Sequence, residues 1–504
     1  MPAHTDHPQV EQTSGGAAAA AQAARCLVPA LMVICFALRY FASTTAPMPY
    51  DEAMLVKATE EISLRPGAVN LPLHGYNHPL AQLYFAKLGT LLLGHNLVGF
   101  RFMSVVLGTA GCWLIFALVR RAWGVWPAVF SLALLCFNGF HIGVSRFALE
   151  RTYLFFVALA LYLFWRAVHE ERPGLFLAAG AAIGVGALTS EHSLFLLPIF
   201  AIYLALDGEK RKWYGRWQTY AAVVLAFAIF TPEIYWMLTN PGEPGFGQGA
   251  TQLDTGDQMT RLRPGRLSAA PLALYIPPLY YKFSERLSVY PVMSLAGGLM
   301  LLAGVLHATV TRQDSLSKLL LVLFWLIFAG FTFTAGPLGE FKWVAMTLFA
   351  AAPLAGRMLY RLFERQALYG VLGCISLLYI AAFGIWVANH SINCYYSPLW
   401  PPSDAQVSTC RAKQDLYVIV REECDFPSLM GSPLLPARYR SYYVKRYLLA
   451  ISLLYNDDLP DEDPAEKLPR MLDAVLRIAP DDPEVRAWQR RVEDRHGGVQ
   501  TTWP

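Results

Sequence analysis

Two acids stand side by side in Pro47-Met48-Pro49-Tyr50-Asp51-Glu52-Ala53, shortly after an apolar run that ends near residue 42. Pro49 stops a preceding helix, and an acid beyond it suits the positive end of the next one, so capping is one role for Asp51. The chemical role is a general base held at a membrane edge, a function that typically contributes ~10²–10⁴ in rate. A second group is Ser145-Arg146-Phe147-Ala148-Leu149-Glu150-Arg151-Thr152-Tyr153. On a helix, Arg146 and Glu150 share one face at i,i+4. They would form an intrahelical ion pair, or the carboxylate would orient a guanidinium toward a phosphate, whose geometry Arg matches. A third group, from His74 through Asn77, His78 and Tyr84 to Lys87, puts two imidazoles four residues apart. Gly75 and Pro79 favour a turn there, so no zinc site is expected, although a divalent metal elsewhere is left open. Arg101 and Lys342 are further candidate anion contacts, and Glu191 adds another acid.

The elements that position these groups follow from composition. The chain has 504 residues, 55% hydrophobic and only 15% charged; soluble domains usually carry about a quarter charged residues. A net charge of +4 is too small for a nucleic-acid binder. Residues 388–504 hold 31 of the 78 charged residues, so a membrane body precedes a water-soluble tail. The expected fold is an all-α polytopic membrane protein with about eleven transmembrane helices and a small, mostly helical extracytoplasmic C-terminal domain. Apolar runs near 26–42, 97–118, 125–142, 152–165, 174–188, 193–206, 219–239, 291–310, 319–334, 343–356 and 367–387 supply the spans. Residues 1–25 are expected to be a disordered cytoplasmic N-terminus.

Lys and Arg collect on cytoplasmic loops. With the N-terminus inside and eleven crossings, the inner loops hold 13 Lys or Arg in 44 residues and the outer loops 11 in 126. The stretch 174–206 decides the count. Two short helices turning at Thr189–His192 keep Lys210, Arg211, Lys212 and Arg216 inside, whereas one long helix would expel them. The tail then lies outside the cytoplasm. Asp51, Glu52, Glu150, Glu191 and Glu233 gather on the outer side, where acids near hydrocarbon are functional candidates.

The two long outer loops are 43–96 and 240–290. The second carries Tyr275, Tyr280, Tyr281 and Tyr290, read as an interfacial aromatic belt or a closing loop. Cys26, Cys35, Cys112, Cys136 and Cys374 are expected to pack within spans, and Cys394, Cys410 and Cys424 leave room for one disulfide in the tail. Leu416–Val420 reads as a strand, and the helices near 465–494 resemble part of a tetratricopeptide-type pair, forming a cap or a docking surface for a protein partner. No phosphate-binding glycine loop or dinucleotide fingerprint is present.

With Arg39 near the end of the first span, the segments Tyr50-Asp51-Glu52-Ala53, Asn77-His78-Pro79-Leu80, Gly99-Phe100-Arg101-Phe102 and Ser145 through Glu150 resemble the GT-C glycosyltransferases. The branch is that of protein O-mannosyltransferases and bacterial aminoarabinose transferases. Thr189-Ser190-Glu191-His192 to Pro198 and Phe341-Lys342-Trp343 to Pro353 fall where that family has matching segments. The resemblance covers roughly residues 26–387. It implies inverting transfer of a sugar from a polyprenyl-phosphate donor to an extracytoplasmic glycolipid, polysaccharide or protein, in a bacterial inner membrane. It casts Asp51 as the base, Glu52 as its neighbour in sugar or acceptor binding, and Arg146 on the carrier phosphate, with Lys87, Arg101 or Lys342 beside it. Glu150, His78, Tyr84 and Glu191 would support the site. Glu150 stands where the mannosyltransferase pattern has Asp. The alternatives are a non-catalytic transporter or flippase of lipid-linked sugar, and a scaffold that recruits partners through its tail. A transporter should show repeated halves with broken spans; instead the acids cluster at one face.

Overall fold

The computed structural model describes residues 14–45, 50–64, 81–148, 152–239, 270–276, 293–311, 314–334, 344–390, 437–456 and 464–495. Among the described residues there are helices and turns but no strand. The strand expected at 416–420, the tail cysteines and most of loop 240–290 lie outside them.

In chain order the helices are α1 (Ser14–Thr45), α2 (Tyr50–Glu61), α3 (Ala81–Leu93), α4 (Leu97–Trp123), α5 (Val125–Cys136), α6 (Gly139–Ser145), α7 (Tyr153–His169), α8 (Gly174–Ala187) and α9 (Leu196–Leu206). There follow α10 (Trp217–Thr239), α11 (Ala270–Tyr275), α12 (Leu295–Val310), α13 (Ser315–Thr334), α14 (Leu348–Arg365), α15 (Ala367–His390), α16 (Ala437–Tyr455), α17 (Pro464–Ile478) and α18 (Pro483–Arg495). Local chemistry sets several ends. Asn96 and Asn138 cap α4 and α6 by accepting the amides of Gly99 and His141 at 3.0 and 2.9 Å. Gly124, with φ +91°, breaks α4 from α5 in a conformation that side chains disfavour.

Among the described residues, α1, α4, α10, α13 and α15 contain stretches long and apolar enough to cross a membrane. The pair α5–α6, bent by 65°, adds a sixth if it is one broken span. Each expected apolar run falls on a helix, several of them shorter than a full crossing. Several boundaries move, among them those of the first helix and of the segment 193–206. The first helix begins at Ser14, not near residue 26, because Ala17–Ala24 is rich in the strongest helix former, so residues 14–25 are helical instead of disordered. The segment 193–206 enters as a 3₁₀ turn over Glu191–Phe195 before α9.

The hairpin at 189–192 is present. Trp213, beyond α9, packs on Phe176 at the start of α8 with ring centroids 4.8 Å apart, so the chain has returned to the end from which α8 left. At this basic end the short loops are tied to one another. Glu170 accepts from Arg121 at 2.7 Å and from Arg166 at 2.9 Å. The Arg166 hydrogen bond holds the Glu170 carboxyl below the usual carboxylate range. Lys212 pairs with Glu171, and Asp314 accepts from Trp123 at 3.1 Å and pairs with Arg357. Helices α8 and α10 touch closely because residue 180 is glycine: a Cβ there would fall 2.2 Å from the Ala222 carbonyl oxygen. In the tail, α16 and α18 meet through Tyr455 and Trp488, with centroids 5.5 Å apart.

Candidate functional site

Among the described side chains of α2 the buried ones are Glu52, Leu55, Val56, Ala58, Thr59 and, just beyond, Ile62. That spacing is one helical stripe, and it turns a carboxylate inward with the aliphatic side chains. A buried carboxylate is tolerated only with partners. Glu52 has them: Arg101, in the second turn of α4, donates from Nε to Oε1 at 2.8 Å and from Nη2 to Oε2. Arg101 Nη1 also donates to the Ser43 carbonyl at the end of α1, at 2.6 Å. The Ala148 amide donates to Glu52 Oε1 at 2.7 Å. Both side chains are 0% exposed. This knot joins the end of α1, α2, α4 and the segment after α6, with bidentate geometry at its centre.

Asp51 lies one position off that stripe, inside the first turn of α2 rather than at the cap position the sequence suggests. Its side chain is outside the described residues. An acid in a first turn still meets the positive helix end.

Arg146 departs from expectation. Helix α6 ends at Ser145, Arg146 follows it, residues 146–148 bend, and α7 begins only at Tyr153. Arg146 lies in this bend, and Glu150 lies outside the described residues. The Glu52 carboxylate takes the Ala148 amide that a continuous helix would use internally. Arg146 is fully buried, its guanidinium carbon 4.6 Å from the Phe147 ring centroid; that of Arg101 is 5.1 Å from the same ring. Two guanidinium groups thus flank one aromatic ring.

The other candidates are spread around this knot. Lys87, on α3, donates to the Glu60 carbonyl at the end of α2 at 3.1 Å, a cation at a negative helix end. Tyr84 is half-buried on the same helix. Glu191 is exposed, 3.6 Å from His192 Nδ1, and His192 also meets Ser190 Oγ at 2.8 Å. Backbone ties draw these elements together: the Ala81 amide donates to the Leu188 carbonyl at 3.0 Å, and Thr152 donates to Gln82. His78 and Lys342 lie outside the described residues. Among the described residues no three His, Cys, Asp or Glu side chains converge on a point that could hold a metal. Tyr275, read as part of an interfacial belt, is instead fully buried, its hydroxyl 2.6 Å from that of Thr347.

Sequence reasoning missed a second buried cluster. Arg39 donates to the Cys35 carbonyl and sulfur, both at 2.9 Å, and to the Leu135 carbonyl at 3.2 Å. Its Nη2 is 2.7 Å from His141 Nδ1, which must accept, because guanidinium only donates. Cys35 and Cys112 therefore do more than fill space: both sulfurs accept from Arg39, the latter at 3.5 Å. The signal was present, since a cation within an apolar run demands partners.

Residues 77–236 match a family model described as dolichyl-phosphate-mannose-protein mannosyltransferase, a segment holding Arg101 and Arg146 and beginning after Glu52. An undecaprenyl phosphate-alpha-4-amino-4-deoxy-L-arabinose arabinosyl transferase of Pseudomonas fluorescens is 28% identical over 205 residues, 38% of this chain and 36% of that protein. A lipopolysaccharide core galacturonosyltransferase of Rhizobium johnstonii is 33% identical over 88 residues, 17% of each chain. The alignments thus span about a third or less of these relatives' lengths. ArnT from Cupriavidus metallidurans, solved with undecaprenyl phosphate, superposes with TM-score 0.52 at 15% identity, covering 93% of this chain and 77% of that one. An oligosaccharyltransferase from Archaeoglobus fulgidus gives TM-score 0.50 at 12% identity, covering 83% and 59%. The fold is similar to that of ArnT and of the archaeal oligosaccharyltransferase, and residues 77–236 resemble the mannosyltransferase family.

Proposed function

We propose that the protein transfers a sugar from a polyprenyl-phosphate donor to an extracytoplasmic acceptor, with inversion, and that Asp51 deprotonates the acceptor hydroxyl. The observation that carries this reading is the Glu52–Arg101–Ala148 knot, which anchors the first turn of α2 to the segment bearing Arg146. It commits Glu52 and Arg101 to each other, so Glu52 and Arg101 become positioning residues. Arg146 is the proposed contact for the carrier phosphate, with Lys87 and Lys342 as further cations.

The chemistry follows from charge. Attack at the anomeric carbon expels a phosphate, on which negative charge grows, and a cation fixed in place stabilises that transition state more than the ground state. A lipid-borne donor keeps the reaction at the bilayer edge. The named relatives act on undecaprenyl-phosphate aminoarabinose and on the lipopolysaccharide core, which supports a cell-envelope glycan as acceptor and a bacterial inner membrane as location. Asp51→Asn should leave a folded protein that binds polyprenyl-phosphate sugar yet transfers it at least ~100-fold more slowly. Transfer at the wild-type rate by that variant would remove Asp51 as the base.

A further inference from the structure

At the end of the molecule opposite the Glu52 knot there is an apolar cavity of about 160 Å³. Phe164 of α7, Ile183 of α8, Phe200 and Ala201 of α9, and Tyr220 and Val223 of α10 line it. Engineered apolar cavities of ~150 Å³ stay dry and take up benzene, so this volume suits several methylene groups. Tyr220 is 57% and Val223 37% exposed, and Ala201 is exposed as well, so the cavity opens sideways between α9 and α10, where hydrocarbon would lie.

The 3₁₀ segment Gly208–Gly215 closes its basic end and is held there by several contacts. Trp213 is buried, Tyr214 donates to the Ala201 carbonyl, Tyr220 donates to the Tyr214 carbonyl at 2.8 Å, and Arg211 Nε donates to the Ala205 carbonyl at 3.0 Å. This rim concentrates Lys210, Arg211, Lys212 and Arg216 against Asp207 and Glu209. Lys212 is paired with Glu171, whereas Lys210 and Arg216 make no ion pair with any described residue.

We infer that this is a binding site for one anionic phospholipid from the leaflet facing the basic loops: an acyl chain enters between α9 and α10, and the headgroup phosphate meets Lys210 and Arg216. The apolar opening and these cations, which make no ion pair among the described residues, lie at the two ends that such a molecule would join. The site is separate from the proposed transfer chemistry and does not depend on it.

The test uses the purified full chain, delipidated in detergent and reloaded with dioleoyl phosphatidylglycerol or with phosphatidylcholine of the same chains. Retained lipid is read by native mass spectrometry across a titration. Phosphatidylglycerol should bind more tightly, and Lys210→Gln/Arg216→Gln should weaken it roughly fivefold per charge while leaving phosphatidylcholine unchanged. Ala201→Trp, which fills the cavity, should weaken both lipids. Equal binding of the two lipids, a preference untouched by the charge changes, or binding indifferent to Ala201→Trp would overturn the inference. The charge variant changes a half-buried and an exposed side chain at the 3₁₀ segment and decides the matter even if the tryptophan variant fails to fold.

Discussion

Replacing Glu52 by Gln tests the knot directly. Glu52 Oε1 accepts from Arg101 Nε at 2.8 Å and from Ala148 at 2.7 Å, while Oε2 accepts from Arg101 Nη2. A glutamine has one oxygen to offer, and its amide nitrogen would face a guanidinium donor or the Ala148 amide. At least one hydrogen bond is lost, and a guanidinium that is 0% exposed loses the Glu52 charge. Breaking one side of a buried pair typically costs ~3–5 kcal/mol, a large share of the ~5–15 kcal/mol that stabilises most proteins. The assay is denaturant unfolding of the detergent-solubilised protein as a double-mutant cycle of Glu52→Gln, Arg101→Met and both together. The double variant should lose much less than the sum of the singles, with a coupling of ~2 kcal/mol or more. Lys212→Ala, which breaks the exposed Lys212–Glu171 pair, serves as control and should cost at most ~1 kcal/mol. If Glu52→Gln stays within ~0.5 kcal/mol of wild type, or the coupling vanishes, the knot does not hold this end together.

Three further outcomes follow. Arg146→Ala should raise the apparent dissociation constant for polyprenyl-phosphate sugar about tenfold or more, consistent with a charge-assisted hydrogen bond; unchanged affinity would take Arg146 off the phosphate. Gly180→Leu must separate α8 from α10, where even a Cβ would approach the Ala222 oxygen to 2.2 Å, and should destabilise by ~1–3 kcal/mol or more in thermal unfolding; a neutral result would contradict that contact. At Asp314 burial pushes the carboxyl up, but hydrogen bonds from the Ser317 amide and Trp123 and the charge of Arg357 together hold it below its ordinary value. Its contribution to stability is therefore complete above the unfolded value near pH ~4 and is lost as pH falls through the lower folded value. Asp314→Asn should flatten the pH–stability curve in that acidic window, and an unchanged curve would show that the carboxylate contributes nothing there.

The features legible in the sequence are those with local causes. The positions of the helices follow from apolar runs, and the turn at 189–192 from the need to keep Lys210–Arg216 beside the other basic loops. The bond network of the site was not legible, because it is long-range. Nothing near Glu52 announces that its partner is Arg101, 49 residues on, or that its oxygen takes the amide of Ala148, 96 residues on. The same distance effect bears on Arg146: spacing alone puts it on a helix, whereas it sits in a bend next to the amide that Glu52 takes. Arg39 was conspicuous in an apolar stretch, but its cradle of cysteines, carbonyls and His141 draws on α4, α5 and α6 as well as α1.

The sequence separations at the Glu52 knot also impose an order on biosynthesis. Glu52 leaves the ribosome 96 residues before Ala148. At ~5–20 residues per second that interval is roughly 5–20 s. Throughout it, α2 cannot lodge its carboxylate in the final cradle, and the surface beside the bilayer is the least costly place for it to wait. The helix is therefore a late arrival in its own fold, drawn in only when residues far downstream supply the bonds that let it stay. Substitutions at Ala148 or Arg101 would then disturb membrane assembly at a point well upstream of themselves.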